Sequence, residues 1–153
     1  MMKTFEDKGS TLVLASGVFD LVHYGHVYFL QEAKKAGGEN ARLVVVVARD
    51  KTVERLKGRP SVLPEEQRRA IVEALKPVDE AILGREDFNV EEILREIKPD
   101  IVAVGHDQTD IEENVRRLVS ERGLRIRVVR IGRFASTGLE SSSGIKRKIA
   151  DQG

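Results

Sequence analysis

Residues 11–30, TLVLASGVFDLVHYGHVYFL, pass from an apolar run into a segment with helical spacing, and the junction holds two of the chain's three histidines. TLVLASG (11–17) predicts a strand. YGHVYFLQEAKKAGG predicts a helix, with apolar side chains at Val27, Phe29, Leu30 and Ala33 and two glycines where it stops. GVFDLVHYGH (17–26) is then a strand-to-helix loop, with His23 at the helix start and His26 in its first turn. Three residues apart, the imidazoles can share a face. Three readings stay open on spacing alone: a helix cap with a half-buried histidine, a metal site completed by Asp20, or a grip on an anion at a helix N-terminus.

Working outward, strand-like runs recur at 42–48 (RLVVVVA), 79–84 (DEAILG), 100–105 (DIVAVG) and 125–131 (RIRVVRI). Runs this apolar suit strands buried on both faces, the habit of parallel sheets. Helical patterns lie between them. PEEQRRAIVEALKP (64–77) is the clearest, with Pro64 and two glutamates at its start, Ile71, Val72 and Leu75 as its expected buried stripe, and Pro77 at its end. NVEEILREIKP and IEENVRRLVSERG repeat the scheme. The order β-α-β-α-α-β-α-β-α-β-α predicts one Rossmann-like α/β domain over residues 1–153, built on a doubly wound, five-stranded parallel sheet. Ligands in such folds bind beyond the carboxyl ends of the strands, where strand order reverses. The first loop, GHDQ (105–108) and GRFASTGLESSSGIK (132–146) all open at that edge.

Composition narrows the partners. The chain has 153 residues with 26 basic and 25 acidic side chains, a net charge of +1, so no global field points to nucleic acid or an acidic membrane. Cysteine is absent, which removes disulfides, thiolate metal sites and cysteine nucleophiles. The longest apolar run, Leu43 to Ala48, is far short of the roughly 20 residues of a membrane helix. A cytoplasmic protein is expected, with small molecules as its partners and no protein-held metal.

The chemistry compatible with the loops is phosphate chemistry. Gly25 removes a side chain beside the helix N-terminus, and two imidazoles there suit a triphosphate whose charge grows during displacement. The glycine fingerprint of dinucleotide folds is missing, and so is the glycine–lysine–serine/threonine element of a phosphate-binding Walker loop. Ser141, Ser142 and Ser143 have no base and orienting acid nearby in sequence to make a nucleophile. They can cap the last helix and bind the distal phosphates through hydroxyls and N–H groups.

GVFDLVHYGH resembles the G-x-F-D-x-x-H-x-G-H element of the cytidylyltransferase-like nucleotidyltransferases, with Gly17, Phe19, Asp20, His23, Gly25 and His26 in place. ESSSGIK (140–146) is similar to that family's second element, more loosely. The resemblance implies that an acceptor phosphate attacks the α-phosphorus of a nucleoside triphosphate, with a divalent cation (Mg²⁺ expected) and release of pyrophosphate. It implies His23, His26 and Lys57 as catalytic residues. Val18, Phe19, Tyr24, Gly25, Asp107, Arg133 and Ser141–Ser143 would join the histidines in binding the nucleotide, Asp20 would brace the loop, and Arg59 would assist Lys57. A homodimer with Lys76 close to the interface is also implied. VARDKTVERLKGR, PEEQRRAIVEALKPVDEAILG and KPDIVAVGHDQ look closest to archaeal FAD synthases, which transfer AMP from ATP to FMN. Phe134 would then offer a wall to the flavin. Those relatives carry C-terminal cysteines, which this chain lacks. Glu140 replaces an apolar residue of the pattern, Ser143 a threonine, and Lys76 an arginine of glycerol-3-phosphate cytidylyltransferases. CTP with glycerol 3-phosphate therefore stays as the alternative substrate pair, and a non-catalytic nucleotide-binding module as the alternative class.

Overall fold

A computed structural model describes residues 9–87, 89–133, 146, 149 and 150. The described elements are β1 (Thr11–Gly17), α1 (Tyr24–Ala36), β2 (Ala41–Val47), α2 (Asp50–Lys57), α3 (Glu65–Glu73), β3 (Glu80–Leu83), α4 (Val90–Ile97), β4 (Ile101–Val104), α5 (Thr109–Arg122) and β5 (Arg127–Arg130). The five strands form one parallel sheet in the order β3-β2-β1-β4-β5. This is the expected doubly wound arrangement, with strand order reversing between β1 and β4.

Alternation along the strands divides the core into two layers. Val13 and Ala15 of β1 and Leu43, Val45 and Val47 of β2 pack with Leu30 and Ala33 of α1 and Val72 of α3. Leu14, Val44, Val46, Val102 and Val104 face the other way, against Ile93, Leu94 and Ile97 of α4 and Val115 and Leu118 of α5. Leu43 through Val47 are all buried, which is why β2 reads as a continuous apolar run and not as an alternating one. Each such side chain contributes about 1.5–3 kcal/mol by leaving water.

Two details of α3 differ from the sequence expectation. The helix ends at Glu73, short of Pro77, and Pro64 is its N-cap rather than a first-turn residue. Its buried stripe holds Val72 at 0 % exposure but leaves Ile71 39 % exposed, while the position one turn before Val72 is a completely buried arginine, Arg68. Residues at i and i+4 share a helix face, so the stripe runs 68, 72, 75, and the charge at its head is inside. β5 is also shorter than the 125–131 run, and the expected final helix lies largely outside the described residues.

Candidate active site

β1 pairs with β2 along its full length, from Thr11 opposite Ala41 to Gly17 opposite Val47. Its pairing with β4 covers only Val13 opposite Ile101 and Leu14 opposite Val102. The ladder between the two central strands ends there, and the loops at 17–23 and 105–108 follow β1 and β4 at the same edge.

The first of these loops is built tightly. Phe19 and Leu21 both have positive φ, 55° and 53°, a left-handed conformation that non-glycine residues seldom adopt. Asp20 between them is 7 % exposed and holds the turn. Its carboxylate accepts from the backbone N–H groups of Val62 (2.8 Å) and Leu63 (3.0 Å) and lies 3.5 Å from Lys146 Nζ. Burial works to raise its pKa, but the two N–H donors and the lysine outweigh it and hold the carboxyl below the usual range. Asp20 therefore fastens the first loop to the segment before α3, the bracing role expected of it.

His23 and His26 cap α1 with each other. His23 Nδ1 accepts from the Gly25 N–H (3.1 Å), and His26 Nδ1 accepts from the His23 N–H (3.3 Å). The pattern is that of a capping box with imidazoles in place of hydroxyl and carboxylate. The rings stack, with centroids 4.0 Å apart and planes 29° from parallel. A ring whose Nδ1 accepts carries its proton on Nε2, and His23 Nε2 is itself buried. Burial, then the neighbouring His23, drive the His26 pKa down to about 4; the charges of Asp107 and Asp20 oppose this and that of Lys57 adds to it. At neutral pH His26 is an uncharged donor. Among the described helices α1 alone lacks an acidic residue in its first turn, so no carboxylate of that turn offsets its positive end.

Phe19 lies inside the loop. Its ring is 3 % exposed and packs in the core, tilted against His26 at a centroid distance of 5.3 Å. It packs against the His26 imidazole. Gly17 makes room for it: a Cβ at residue 17 would fall 2.8 Å from Phe19 Cε2. Val18 is half-buried and Tyr24 exposed at the first position of α1. Gly25 contributes its N–H to the His23 cap as well as its missing side chain. Lys57 closes α2 and is exposed, close enough for its charge to be felt at His26; Arg59 is exposed on the loop beyond. Asp107 is likewise exposed and felt at His26, and Arg133 lies exposed just past β5. Phe134 and Ser141, Ser142 and Ser143 lie outside the described residues.

Arg68 was missed by the sequence reading. Its guanidinium donates to the carbonyls of Leu63 (2.9 Å), Val18 (2.8 Å) and Ala48 (2.7 Å) and to the Asp50 carboxylate (2.7 Å). One side chain thus ties the loop after β1, the end of β2 and the segment before α3. The available signal was a basic residue on the same helix stripe as Val72 and Leu75, where only a fully partnered charge is tolerated. Among the described residues no group of three or more His, Cys, Asp or Glu is placed to hold a metal ion. None of their helices is long and apolar enough to cross a membrane.

A parallel sheet with a switch point between β1 and β4 and an imidazole-capped helix after β1 fits a nucleotide-binding fold, and the chain belongs to the cytidylyltransferase-like family, whose model matches residues 14–148. The FAD synthase of Methanothermobacter marburgensis is 50% identical over 151 residues, covering 97% of this chain and 92% of the relative. The FAD synthase of Methanopyrus kandleri is 49% identical over 140 residues, covering 91% of each. Among solved structures, a lipopolysaccharide core biosynthesis protein from Thermoplasma volcanium superposes with a TM-score of 0.73 at 39% identity, over 82% of this chain and 98% of its own.

Proposed function

We propose that this nucleotidyltransferase transfers AMP from ATP to FMN, forming FAD and pyrophosphate. The observation that carries the reading is the reciprocal imidazole cap at the N-terminus of α1, which puts two imidazoles and a positive helix end at the switch point. The choice of ATP and FMN is supported by relatives named FAD synthase that match nearly the whole chain.

A phosphate oxygen of FMN attacks the α-phosphorus, the bond from that phosphorus to the bridging oxygen breaks, and pyrophosphate leaves on the opposite side. Charge accumulating on the phosphoryl oxygens is met by the Nε2–H groups of His23 and His26, the α1 dipole and Lys57. Such donors stabilise the transition state without a covalent intermediate, and catalysis is otherwise positioning. The divalent cation, Mg²⁺ in our reading, belongs to the substrate and enters on the triphosphate. Asp20 is committed to Val62, Leu63 and Lys146, and both histidine Nδ1 atoms to backbone N–H groups. Ser141, Ser142 and Ser143 would take the distal phosphates, Asp107 the nucleoside and Arg133 the nucleotide.

The protein acts in the cytoplasm as a homodimer, with the segment around Lys76 at the interface. Exposed Ile71 on α3 supports that placement. A monomer by light scattering at micromolar concentration would refute the dimer alone. Incubation with ATP, Mg²⁺ and FMN, followed by separation of the flavins, tests the activity. FAD above background is expected; CDP-glycerol from CTP and glycerol 3-phosphate, without FAD, would move the assignment to the cytidylyltransferase reading.

A further inference from the structure

The gap between β1 and β4 is crossed by one side chain that the sequence reading left unassigned. Gln108 Oε1 accepts from the Gly105 N–H at 2.8 Å, and Gln108 Nε2 donates to the Ser16 carbonyl at 2.9 Å. The orientation of the amide is fixed, since one partner can only donate and the other can only accept. Gln108 is also the N-cap of α5, yet its side chain makes no cap bond to that helix and turns into the sheet instead. Its main chain closes the same turn, with its N–H on the Gly105 carbonyl (3.1 Å), and Arg130 holds the His106 carbonyl from outside (3.0 Å).

This clasp lies where the ladder between the two strands has ended, after Leu14 and Val102. The Gln108 amide thus links the end of β1 to the turn after β4 beyond the last paired residues. The turn it closes also carries Asp107, whose carboxylate folds back over Gly105: a Cβ built there would stand 3.2 Å from Asp107 Oδ1 and 3.6 Å from Gln108 Oε1. Gln108 is half-buried while His106 and Asp107 are exposed, so the amide acts beneath the turn and the carboxylate at its surface.

We propose that Gln108 is a positioning residue that fixes the width of the β1–β4 crevice and, through the 105–108 turn, places the Asp107 carboxylate for nucleotide binding. This rests on the nucleotidyl-transfer reading given above. A side-chain amide is required because it supplies a donor and an acceptor on one neutral, planar group; a carboxylate at 108 would set oxygen against the Ser16 carbonyl.

The test is a double-mutant cycle on Gln108→Ala and Asp107→Asn, reading the ATP dissociation constant by calorimetry, with Mg²⁺ present, beside kcat and KM for FAD formation. Gln108→Ala is expected to weaken ATP binding about tenfold while kcat falls less than threefold. In the Asp107→Asn background the same change is expected to weaken binding less than twofold, because the group it positions is already disabled. Gln108→Glu, which keeps the volume and the bond from Gly105, should behave as Gln108→Ala does, and it carries the test if the alanine variant fails to fold. Additive losses in the two backgrounds, or a lowered Tm with ATP affinity unchanged, would overturn the proposal. A wild type that binds ATP but makes no FAD would refute the FMN assignment and leave the cycle still decisive.

Discussion

Replacing Arg68 with Met keeps most of the apolar stem and removes the guanidinium from a site that is 0 % exposed. Three carbonyls, of Leu63, Val18 and Ala48, lose a charge-assisted donor at 2.7–2.9 Å. The fourth partner, Asp50, has a side chain 46 % exposed and turns to water at little cost. Leaving a buried carbonyl without a partner costs about 1–3 kcal/mol. The Ala48 bond is the buried one; those to Val18 and Leu63 are half-buried and fall at the lower end. The sum is about 3–5 kcal/mol. For a domain of this size that lowers Tm by roughly 6–20 °C at about 2–4 °C per kcal/mol. Calorimetry on the purified variant measures it. Because all three carbonyls belong to segments flanking the crevice, FAD formation well below the new Tm should fall as well. A variant melting within about 3 °C of wild type at unchanged activity would refute the view of Arg68 as the hub of these loops.

The depressed pKa of His26, about 4 against 6.5, gives a pH dependence with a definite sign. Between those values the unfolded chain binds a proton that the folded one refuses, so the contribution to stability is complete above pH 6.5 and is lost as pH falls towards 4, at about 1.4 kcal/mol per unit. Thermal melts from pH 7 to 4.5 should therefore steepen in wild type and flatten in His26→Gln; parallel curves would contradict this. Gly17→Ala should push the Phe19 ring against His26, lowering stability by about 1–3 kcal/mol and FAD formation more than tenfold; a fully active variant would show that the Phe19 contact does not set the imidazole. Lys57→Ala should raise KM for ATP with Tm unchanged, its side chain being exposed and at the end of α2; an unchanged KM would remove Lys57 from the phosphate site.

The sheet was legible because its evidence is local. Five apolar runs separated by helical spacing leave few arrangements, and β2, buried at every position from Leu43 to Val47, announces a central parallel strand by itself. His23 and His26 were legible because a strand-to-helix loop confines them to one turn. Arg68 and Gln108 were not, since each acts on backbone groups distant in sequence: Val18 is fifty residues from Arg68, and Ser16 ninety-two from Gln108. Carbonyls and N–H groups leave no mark in the amino-acid alphabet, so side chains whose partners are main chain stay silent until the fold is built. The burial of Phe19 and the exposure of Ile71 were hidden for a related reason. Their apolar character was correctly read, but the left-handed turn at Phe19 and the burial of Arg68 in the α3 stripe decide which of them is inside.

The most direct measurement is the rate of FAD formation from FMN and ATP with Mg²⁺ by wild type and His26→Ala, compared at equal folded concentration established by circular dichroism. The neutral-donor account predicts that wild type turns over with one pyrophosphate released per FAD, and that the variant folds but loses about 10²–10³ in kcat, the usual effect of deleting one oxyanion-type donor. A folded His26→Ala protein working within threefold of wild type would contradict it.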